Sequence, residues 1–217
     1  MTATQWNLLA LLVLLLVALF ASYAQESESP TQAGDSSTYR EVRPLFWSKL
    51  YPRGGETLYC GTRFSSRHGK KINIEHVFPM SWVTKTLHCG DRKKCRRTSR
   101  RFNRIEADMH NMYPALAKAN KSRSAMAYAM IKGEEHHYKG CDFEVDFRKR
   151  KVEPSPSARG KIARAMLYMA DTYNLKLFSS QKKLMLKWHR SSPPGKAEKR
   201  RNRKIKEIQG KANPYIQ

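Results

Sequence analysis

Acidic residues are scarce in this sequence. Asp and Glu account for 18 of its 217 residues and Lys and Arg for 42, so the formal net charge is +24. This charge is far larger than solubility requires, and it favours a polyanionic partner such as nucleic acid, acidic polysaccharide or an anionic membrane. Apolar residues are not scarce, because hydrophobic residues make up 40% of the chain. The composition therefore excludes global disorder and is typical of a folded domain with a real core.

The sequence also lacks an apolar run long enough for a comfortable membrane span. The unbroken run Leu8–Phe20 is short for a spanning helix and suits the core of a signal peptide. Small residues at Ser22 and Ala24 predict cleavage after Ala24, which makes residues 1–24 the signal peptide. Because no Lys or Arg precedes the run, an uncleaved anchor is the alternative. Residues 25–38 have no hydrophobic periodicity and predict a flexible leader.

Cysteine is rare, with four residues at Cys60, Cys89, Cys95 and Cys141. No second close pair completes a tetrahedral thiolate site, so a structural zinc is not favoured. In an exported chain an even number of cysteines predicts two disulfides, for which three pairings are possible. Cys89 and Cys95 could close a small basic loop, which would leave Cys60 with Cys141.

The stretch KKINIEHVFPMSW, residues 70–82, carries the side chains most suggestive of chemistry. Apolar and polar residues alternate over residues 72–75, which predicts a half-buried strand, and Pro79 ends any regular ladder. Glu75 and His76 are therefore expected where a strand ends, pointing to opposite faces. A carboxylate and an imidazole placed in this way can flank a substrate, although a surface Glu and a structural His are the simpler interpretation of the pair alone.

Other segments are expected to build the surroundings of this strand. Thr57–Phe64 is predicted to be a second strand, with Ser65–Gly69 turning the chain so that the two pair as a hairpin. Lys85–Arg104 holds nine Lys or Arg and one Asp, and is predicted to be a basic loop that is either solvated or in contact with phosphate. Pro114 is expected to open a helix that carries Asn120.

The C-terminal part is predicted to be helical. The clearest helix spans Pro156–Tyr173, where Ser155 can act as the N-cap and apolar residues recur at helical spacing. A second helix is predicted at Gln181–His189. Residues 182–206 form a basic segment that is interpreted either as a solvated tail or as a non-specific phosphate grip.

Taken together, five blocks in the same order resemble the bacterial endonuclease I family, which are secreted or periplasmic nucleases of the ββα-metal (His-Me finger) class. The blocks are IEHVFP at Ile74–Pro79, EADMHNMYP at Glu106–Pro114, Asn120, ARGKIARAMLYM at Ala158–Met169 and IQGKANPYIQ at Ile208–Gln217. The resemblance implies an α+β fold. In it, a ββα-metal finger core, a short β-hairpin packed on a helix, is embedded in a mainly helical single domain over residues 39–217, which ends in the basic C-terminal segment.

The resemblance also implies roles for individual residues. His76 matches the family's general base, and Glu75 and Asn120 match its magnesium ligands. Arg92 matches the arginine that holds the cleaved phosphate. Glu106 matches an acidic residue near the metal, which acts directly or through water.

The implied function is a secreted or periplasmic non-specific endonuclease that hydrolyses DNA, and also RNA, to 5′-phosphate and 3′-hydroxyl ends. The implied cofactor is one Mg²⁺ ion, with Mn²⁺ or Ca²⁺ able to substitute in binding, because hard cations prefer oxygen ligands. DNA and RNA are expected to be held largely through phosphates, which carry no sequence information. A monomer without stable membrane association after signal cleavage is expected.

The chain departs from the family pattern in its cysteines and its tail. Where the family typically has a Cys-Gly-Cys element, Cys60-Gly61 is followed by Thr62, and the stretch from Cys60 to Glu75 is shorter than usual. The C-terminal cysteines of the family are absent and the tail is more basic. A structural role is implied for Asn111, which resembles the asparagine that ties the loop of the motif together.

Two other functions compete with the nuclease. A non-catalytic cationic protein that binds nucleic acid or membrane through charge would need no constellation of Glu75, His76 and Asn120. A zinc hydrolase using His136 and His137 is disfavoured, because two adjacent histidines are not spaced along one face of a helix.

Overall fold

The structure of the protein is a computed structural model that describes residues 37–133, 138 and 140–217. The predicted signal peptide at residues 1–24, the leader up to residue 36, and His136 and His137 of the zinc hypothesis lie outside the described residues. None of the helices in the described ranges is long and apolar enough to cross a membrane.

Short strands form three small sheets in this part of the chain. The first sheet pairs β1 (Gly55–Glu56) with β2 (Arg63–Phe64), and the second pairs β3 (Ile72–His76) with β4 (Met112–Leu116). The third contains β5 (Ala127–Tyr128), β6 (Phe143–Asp146) and β7 (Lys151–Pro154), with β7 in the centre. The pairing of β5 with β7 is parallel, and the other three pairings are antiparallel.

Most of the described chain outside the sheets is helical. The helices are α1 (Tyr39–Leu45), α2 (Met80–Leu87), α3 (Arg92–Thr98), α4 (Arg100–Glu106), α5 (Ala117–Arg123), α6 (Pro156–Tyr173), α7 (Ser179–Ser191) and α8 (Lys196–Gln209). A π-helical turn at Phe46–Leu50 continues α1, and short 3₁₀ turns at Gly69–Lys71 and Met109–Asn111 lead into β3 and β4. This mixture of helices and small sheets confirms the α+β class.

The prediction of α6 is confirmed at both ends, because its pattern is local. Pro156 occupies the first turn, and the helix ends at Tyr173, which is followed by Asn174 with a left-handed φ of 47°. The Ser155 side chain does not cap the helix, and its hydroxyl instead contacts the Ser157 hydroxyl at 3.0 Å. The second predicted helix is confirmed as the longer α7, which packs against α6.

The predicted hairpin is wrong. The strand predicted over Thr57–Phe64 is reduced to β2, which pairs with β1, and β3 pairs instead with β4. Residues 57–62 form a turn in which the Gly61 amide donates to the Thr57 carbonyl at 3.0 Å. The Thr57 hydroxyl accepts from the Thr62 amide at 3.0 Å, so the threonine side chain competes with a strand ladder here.

Pro114 does not open a helix but lies inside β4, opposite Ile74 of β3. Its carbonyl accepts a hydrogen bond from the Leu58 amide at 2.7 Å. Since the N and O atoms of a strand residue point to the same side, the missing N–H of Pro114 faces Leu58 and costs the β3–β4 ladder nothing. The helix that carries Asn120 therefore begins only at Ala117.

The basic loop predicted at Lys85–Arg104 is also wrong, because most of it is helical. Asp91 begins α3 by accepting from the Lys94 amide at 2.7 Å, and Ser99 begins α4 by accepting from the Phe102 amide at 3.1 Å. Both are side chains of the type that caps helices, spaced three residues from their donors. The arginines of this segment are consequently held on two short helices.

Two apolar clusters frame the β3–β4 pair. The larger cluster joins α6, α7 and the sheet of β5–β7, and includes Tyr59 and Tyr128. The smaller one lies between α1, the pair and α8, and includes Val42, Met112 and Ile205. Two disulfides, Cys60–Cys141 and Cys89–Cys95, confirm that the four cysteines are paired.

Candidate active site

One cavity of about 580 Å³ opens where β3 ends and α5 begins. It is lined by residues from β3, α2, α3 and α5, which are separated by up to fifty positions in the sequence. Four of the predicted site residues line it, namely Glu75, His76, Arg92 and Asn120. The other two, Glu106 and Asn111, are buried beside the cavity rather than in its wall.

Glu75 is 3% exposed and is anchored by two side chains on one oxygen. Its Oε1 accepts from the Tyr59 hydroxyl at 2.7 Å and lies 3.0 Å from Nη1 of Arg123. Burial raises the pKa of Glu75, while the charge of Arg123 and the Tyr59 hydrogen bond oppose that rise. The carboxylate is thus fixed in position at the cavity wall.

Asn120 is oriented by two hydrogen bonds from its amide nitrogen. Nδ2 donates to the Ile74 carbonyl at 3.2 Å and to Oδ1 of Asn73 at 2.8 Å. Because a carbonyl can only accept, the contact with Ile74 decides which end of the amide is nitrogen. The amide oxygen of Asn120 is therefore the group left for a ligand.

His76 has a defined tautomer. Its Nε2 lies 2.9 Å from the backbone carbonyl of Glu106, so Nε2 must carry the proton and donate it. Nδ1 then holds the lone pair and is the basic nitrogen of the ring. Burial and the nearby positive charge of Arg92 lower the pKa of His76 to about 4, which keeps the ring neutral near pH 7.

Arg92 and Arg96 share the carboxylate of Glu106. Nε of Arg92 donates to Oε1 at 2.5 Å, and Arg96 donates to both oxygens at 2.7 and 2.8 Å. Burial alone would raise the pKa of Glu106, but the hydrogen bond from Arg96 and the charge of Arg92 lower it below its ordinary value. Glu106 therefore fixes one end of Arg92, whose side chain remains 44% exposed and lines the cavity.

Asn111 extends the β3–β4 pairing beyond the end of the strand. Its Oδ1 accepts from the Phe78 amide at 2.6 Å, and its Nδ2 donates to the Phe78 carbonyl at 3.1 Å. Its own carbonyl accepts from the Val77 amide at 3.0 Å. The side chain thus replaces a strand neighbour and holds the turn that follows His76 in place.

Besides Nδ1 of His76, this cavity offers hard oxygen donors as metal-binding groups. Within the described ranges no group of three or more His, Cys, Asp or Glu side chains could hold a metal ion. Glu75 and the oxygen of Asn120 supply one carboxylate and one amide oxygen, a set that suits a small divalent cation retaining several waters.

Comparisons with known proteins, which cover most of the chain, give the same family as the sequence blocks described above. The family model for Endonuclease I matches residues 21–217. The chain is 34% identical over 213 positions to a periplasmic deoxyribonuclease of Aeromonas hydrophila, covering 87% of this chain and 89% of the relative. It is 38% identical over 194 positions to an extracellular deoxyribonuclease of the same species, covering 78% and 85%.

The chain belongs to the endonuclease I family. A third relative, named Endonuclease-1 of Buchnera aphidicola subsp. Acyrthosiphon pisum (strain APS), is 34% identical over 178 positions. That match covers 79% of this chain and 70% of the relative.

Three residues around the endonuclease I blocks were not anticipated from the sequence. Arg123 and Tyr59 hold Glu75, and Tyr39 lies with its ring 5.2 Å from the His76 ring and 5.8 Å from the Arg92 guanidinium carbon. Arg123 carried a usable signal, because it follows Asn120 by three residues and so shares its face of α5. Tyr59 and Tyr39 reach the site through tertiary packing, which no local pattern reveals.

Proposed function

We propose that the protein is a secreted or periplasmic endonuclease that hydrolyses phosphodiester bonds of DNA and RNA with little sequence preference. The observation that carries the proposal is the single cavity shared by Glu75, His76, Arg92 and Asn120. Membership of a nuclease family and relatives named as periplasmic and extracellular deoxyribonucleases support the reaction class and the location. In this proposal the antiparallel pair β3–β4 and the helix α5 are the ββα-metal core.

His76 is the proposed general base. The hydrogen bond from Nε2 to the Glu106 carbonyl leaves Nδ1 to accept a proton from the attacking water. The lowered pKa keeps this nitrogen unprotonated at neutral pH. Tyr39, packed on the ring, limits the orientations that the imidazole can adopt.

Glu75 and Asn120 are the proposed Mg²⁺ ligands. Both side-chain contacts to Glu75 fall on Oε1, so Oε2 is the oxygen proposed for the metal. The Nδ2 contacts of Asn120 direct its oxygen away from the strand in the same manner. A Mg²⁺ ion held there would neutralise negative charge that develops on the phosphate and the leaving oxygen.

Arg92 is proposed to hold the phosphate that is cleaved. A guanidinium offers donors in a planar fork, and in Arg92 one of them, Nε, is engaged by Glu106. The remaining donors can bind phosphate oxygens while Glu106 fixes the direction of the group. The role proposed for Glu106 is therefore to position Arg92, rather than to bind the metal directly.

Plasmid cleavage by the purified protein tests the proposal. Nicking and linearisation are expected with Mg²⁺ and none in excess EDTA, and RNA is expected to be degraded under the same conditions. His76→Ala should abolish cleavage while DNA binding persists, and His88→Asn should cleave at the wild-type rate. His88 is a suitable control because it is exposed and left-handed with a φ of 50°, a conformation that Asn tolerates.

The ends of the products test the direction of bond breakage. Products with 5′-phosphate ends should accept labelled phosphate from a kinase only after phosphatase treatment. Direct labelling would contradict the proposed direction of bond breakage, and full activity of His76→Ala would contradict the general-base role. No cleavage by the wild type with Mg²⁺ would leave a cationic binding protein as the better description.

A further inference from the structure

Helix α8 has two faces of different chemistry. Side chains pointing inward are buried or partly buried and include Glu198, Asn202 and Ile205. The exposed cations of the helix are Lys196, Lys199, Arg200, Arg203, Lys204 and Lys206. At about 100° per residue these six lie within an arc of roughly 160°, centred opposite the buried positions.

The inward face fixes the direction in which these cations point. Arg164 donates to both carboxylate oxygens of Glu198 at 2.7 and 2.6 Å, and both side chains are buried. Asn202 accepts from the Asn213 amide at 2.8 Å and donates to its carbonyl at 3.1 Å. Because these anchors are buried, the helix cannot roll to present another side.

A third anchor joins α8 to the strand pair of the active site. Nη2 of Arg201 donates to the carbonyls of Met109 and Met112 at 2.6 and 2.5 Å. Met112 is the β4 residue directly opposite His76. The cationic face of α8 is therefore rigidly attached to the unit that carries the proposed chemistry, but lies outside the cavity lining.

We infer that the outer face of α8 is a second phosphate-binding surface, which holds the backbone of a nucleic acid that is engaged at the cavity. Lys199, Arg203 and Lys206 recur at four- and three-residue intervals and form a continuous stripe, with Glu207 as the single acid of that face. The choice of nucleic acid among polyanions rests on the proposed function. An anionic membrane is the less suitable partner, because exposed positions of α8 carry no large apolar side chain that could insert into a bilayer.

Salt-dependent binding tests this surface with a matched control. The test variant is Lys199→Gln/Arg203→Gln/Lys206→Gln, and the control is Lys182→Gln/Lys183→Gln/Lys187→Gln on α7, which removes the same charge from exposed positions. Gln keeps helix propensity at all six sites. Both sets are placed in the His76→Ala background and measured in EDTA on a 30-base-pair duplex, so that binding is scored whether or not the protein is a nuclease.

The expected result is a change in the salt dependence of the dissociation constant. Each phosphate contact contributes about 0.9 to the slope of log K against log salt, so the α8 variant should lose about 2.7 from that slope. The control should lose less than half as much. With His76 retained and Mg²⁺ present, the α8 variant should raise KM for cleavage and leave kcat within twofold, which a catalytic role would not do.

Three outcomes would overturn the inference. Equal losses in the α8 and control variants would mean that only net charge matters. An unchanged slope in the α8 variant would mean that the face does not contact phosphate. Weaker binding to vesicles containing anionic lipid, with unchanged duplex binding, would assign the face to a membrane. If the triple variant does not fold by circular dichroism, Arg203→Gln alone decides, with an expected slope loss of about 0.9.

Discussion

Replacing Arg123 with Met is expected to destabilise the protein severely. The guanidinium is 1% exposed, lies 3.0 Å from Oε1 of Glu75, and donates to the carbonyls of Val77 and His76 at 2.5 and 3.2 Å. Removing one partner of a buried ion pair costs about 3–5 kcal/mol, because the other charge stays buried and uncompensated. For a domain of this size about 2–4 °C is lost per kcal/mol, so the melting temperature should fall on the order of 10 °C.

The assay is thermal unfolding in EDTA at pH 7, which removes any contribution from bound metal. If the cost arises at the Glu75 carboxylate, Arg123→Met/Glu75→Gln should recover at least half of the stability lost in the single variant. A melting temperature within about 2 °C of wild type for Arg123→Met, or no recovery in the double variant, would refute the reasoning.

Arg123→Met is also expected to affect cleavage, and Arg164→Met supplies a matched control for that effect. Arg164 and Glu198 form a second buried pair, with 2% and 4% side-chain exposure, that does not line the cavity. Both variants should be destabilised. Below both melting temperatures and at saturating substrate, Arg123→Met should lose plasmid cleavage and Arg164→Met should retain it.

Two further changes test the supports of the site. Asn111→Ala leaves the buried amide and carbonyl of Phe78 without partners and should cost about 2–4 kcal/mol in urea unfolding, whereas a loss under about 0.5 kcal/mol would exclude this role. The pKa of Glu106 is lowered in the folded state mainly by Arg96 and Arg92, which outweigh the opposing effect of burial. Its contribution to stability is therefore present above about pH 4.3 and is lost as pH falls through the folded value. Wild type should lose more stability than Glu106→Gln between pH 6 and pH 3, and parallel curves would contradict the assignment.

Local patterns in the sequence were sufficient for β3 and α6. Alternation over residues 72–75 marks the strand that ends at Glu75 and His76, and the bounds of α6 follow from Pro156 and its apolar spacing. The partner of β3 was not predictable in the same way, because β4 lies some forty residues away and contains Pro114. In sequence, a proline at this position favours the first turn of a helix. The strand tolerates Pro114 because its missing N–H points away from β3, which only the folded structure shows.

The candidate site likewise contains residues that the sequence could predict and residues that it could not. His76, Glu75 and Asn120 could be proposed from the sequence blocks, and Arg92 from its match to the phosphate-binding arginine that the resemblance implies. Of the residues that orient them, Arg123 shares the α5 face of Asn120, whereas Tyr59 and Tyr39 are contributed by packing. Nothing in the immediate neighbours of these two tyrosines distinguishes them from other Tyr. Long-range contacts decide their role, and these become visible only when the chain is folded.

The large positive charge serves two physical purposes, which the composition alone cannot separate. Arg123, Arg164 and Arg201 are buried or partly buried, and each donates at least one hydrogen bond to a backbone carbonyl. A planar guanidinium can satisfy several fixed acceptors at once, which an ammonium cannot, so arginine is the residue suited to these positions. The exposed cations of α8 have no such geometric demand, and their effect depends on charge and is screened by salt. The number of Lys and Arg residues therefore overstates the number of cations that a polyanion could reach, because part of the arginine holds the fold together.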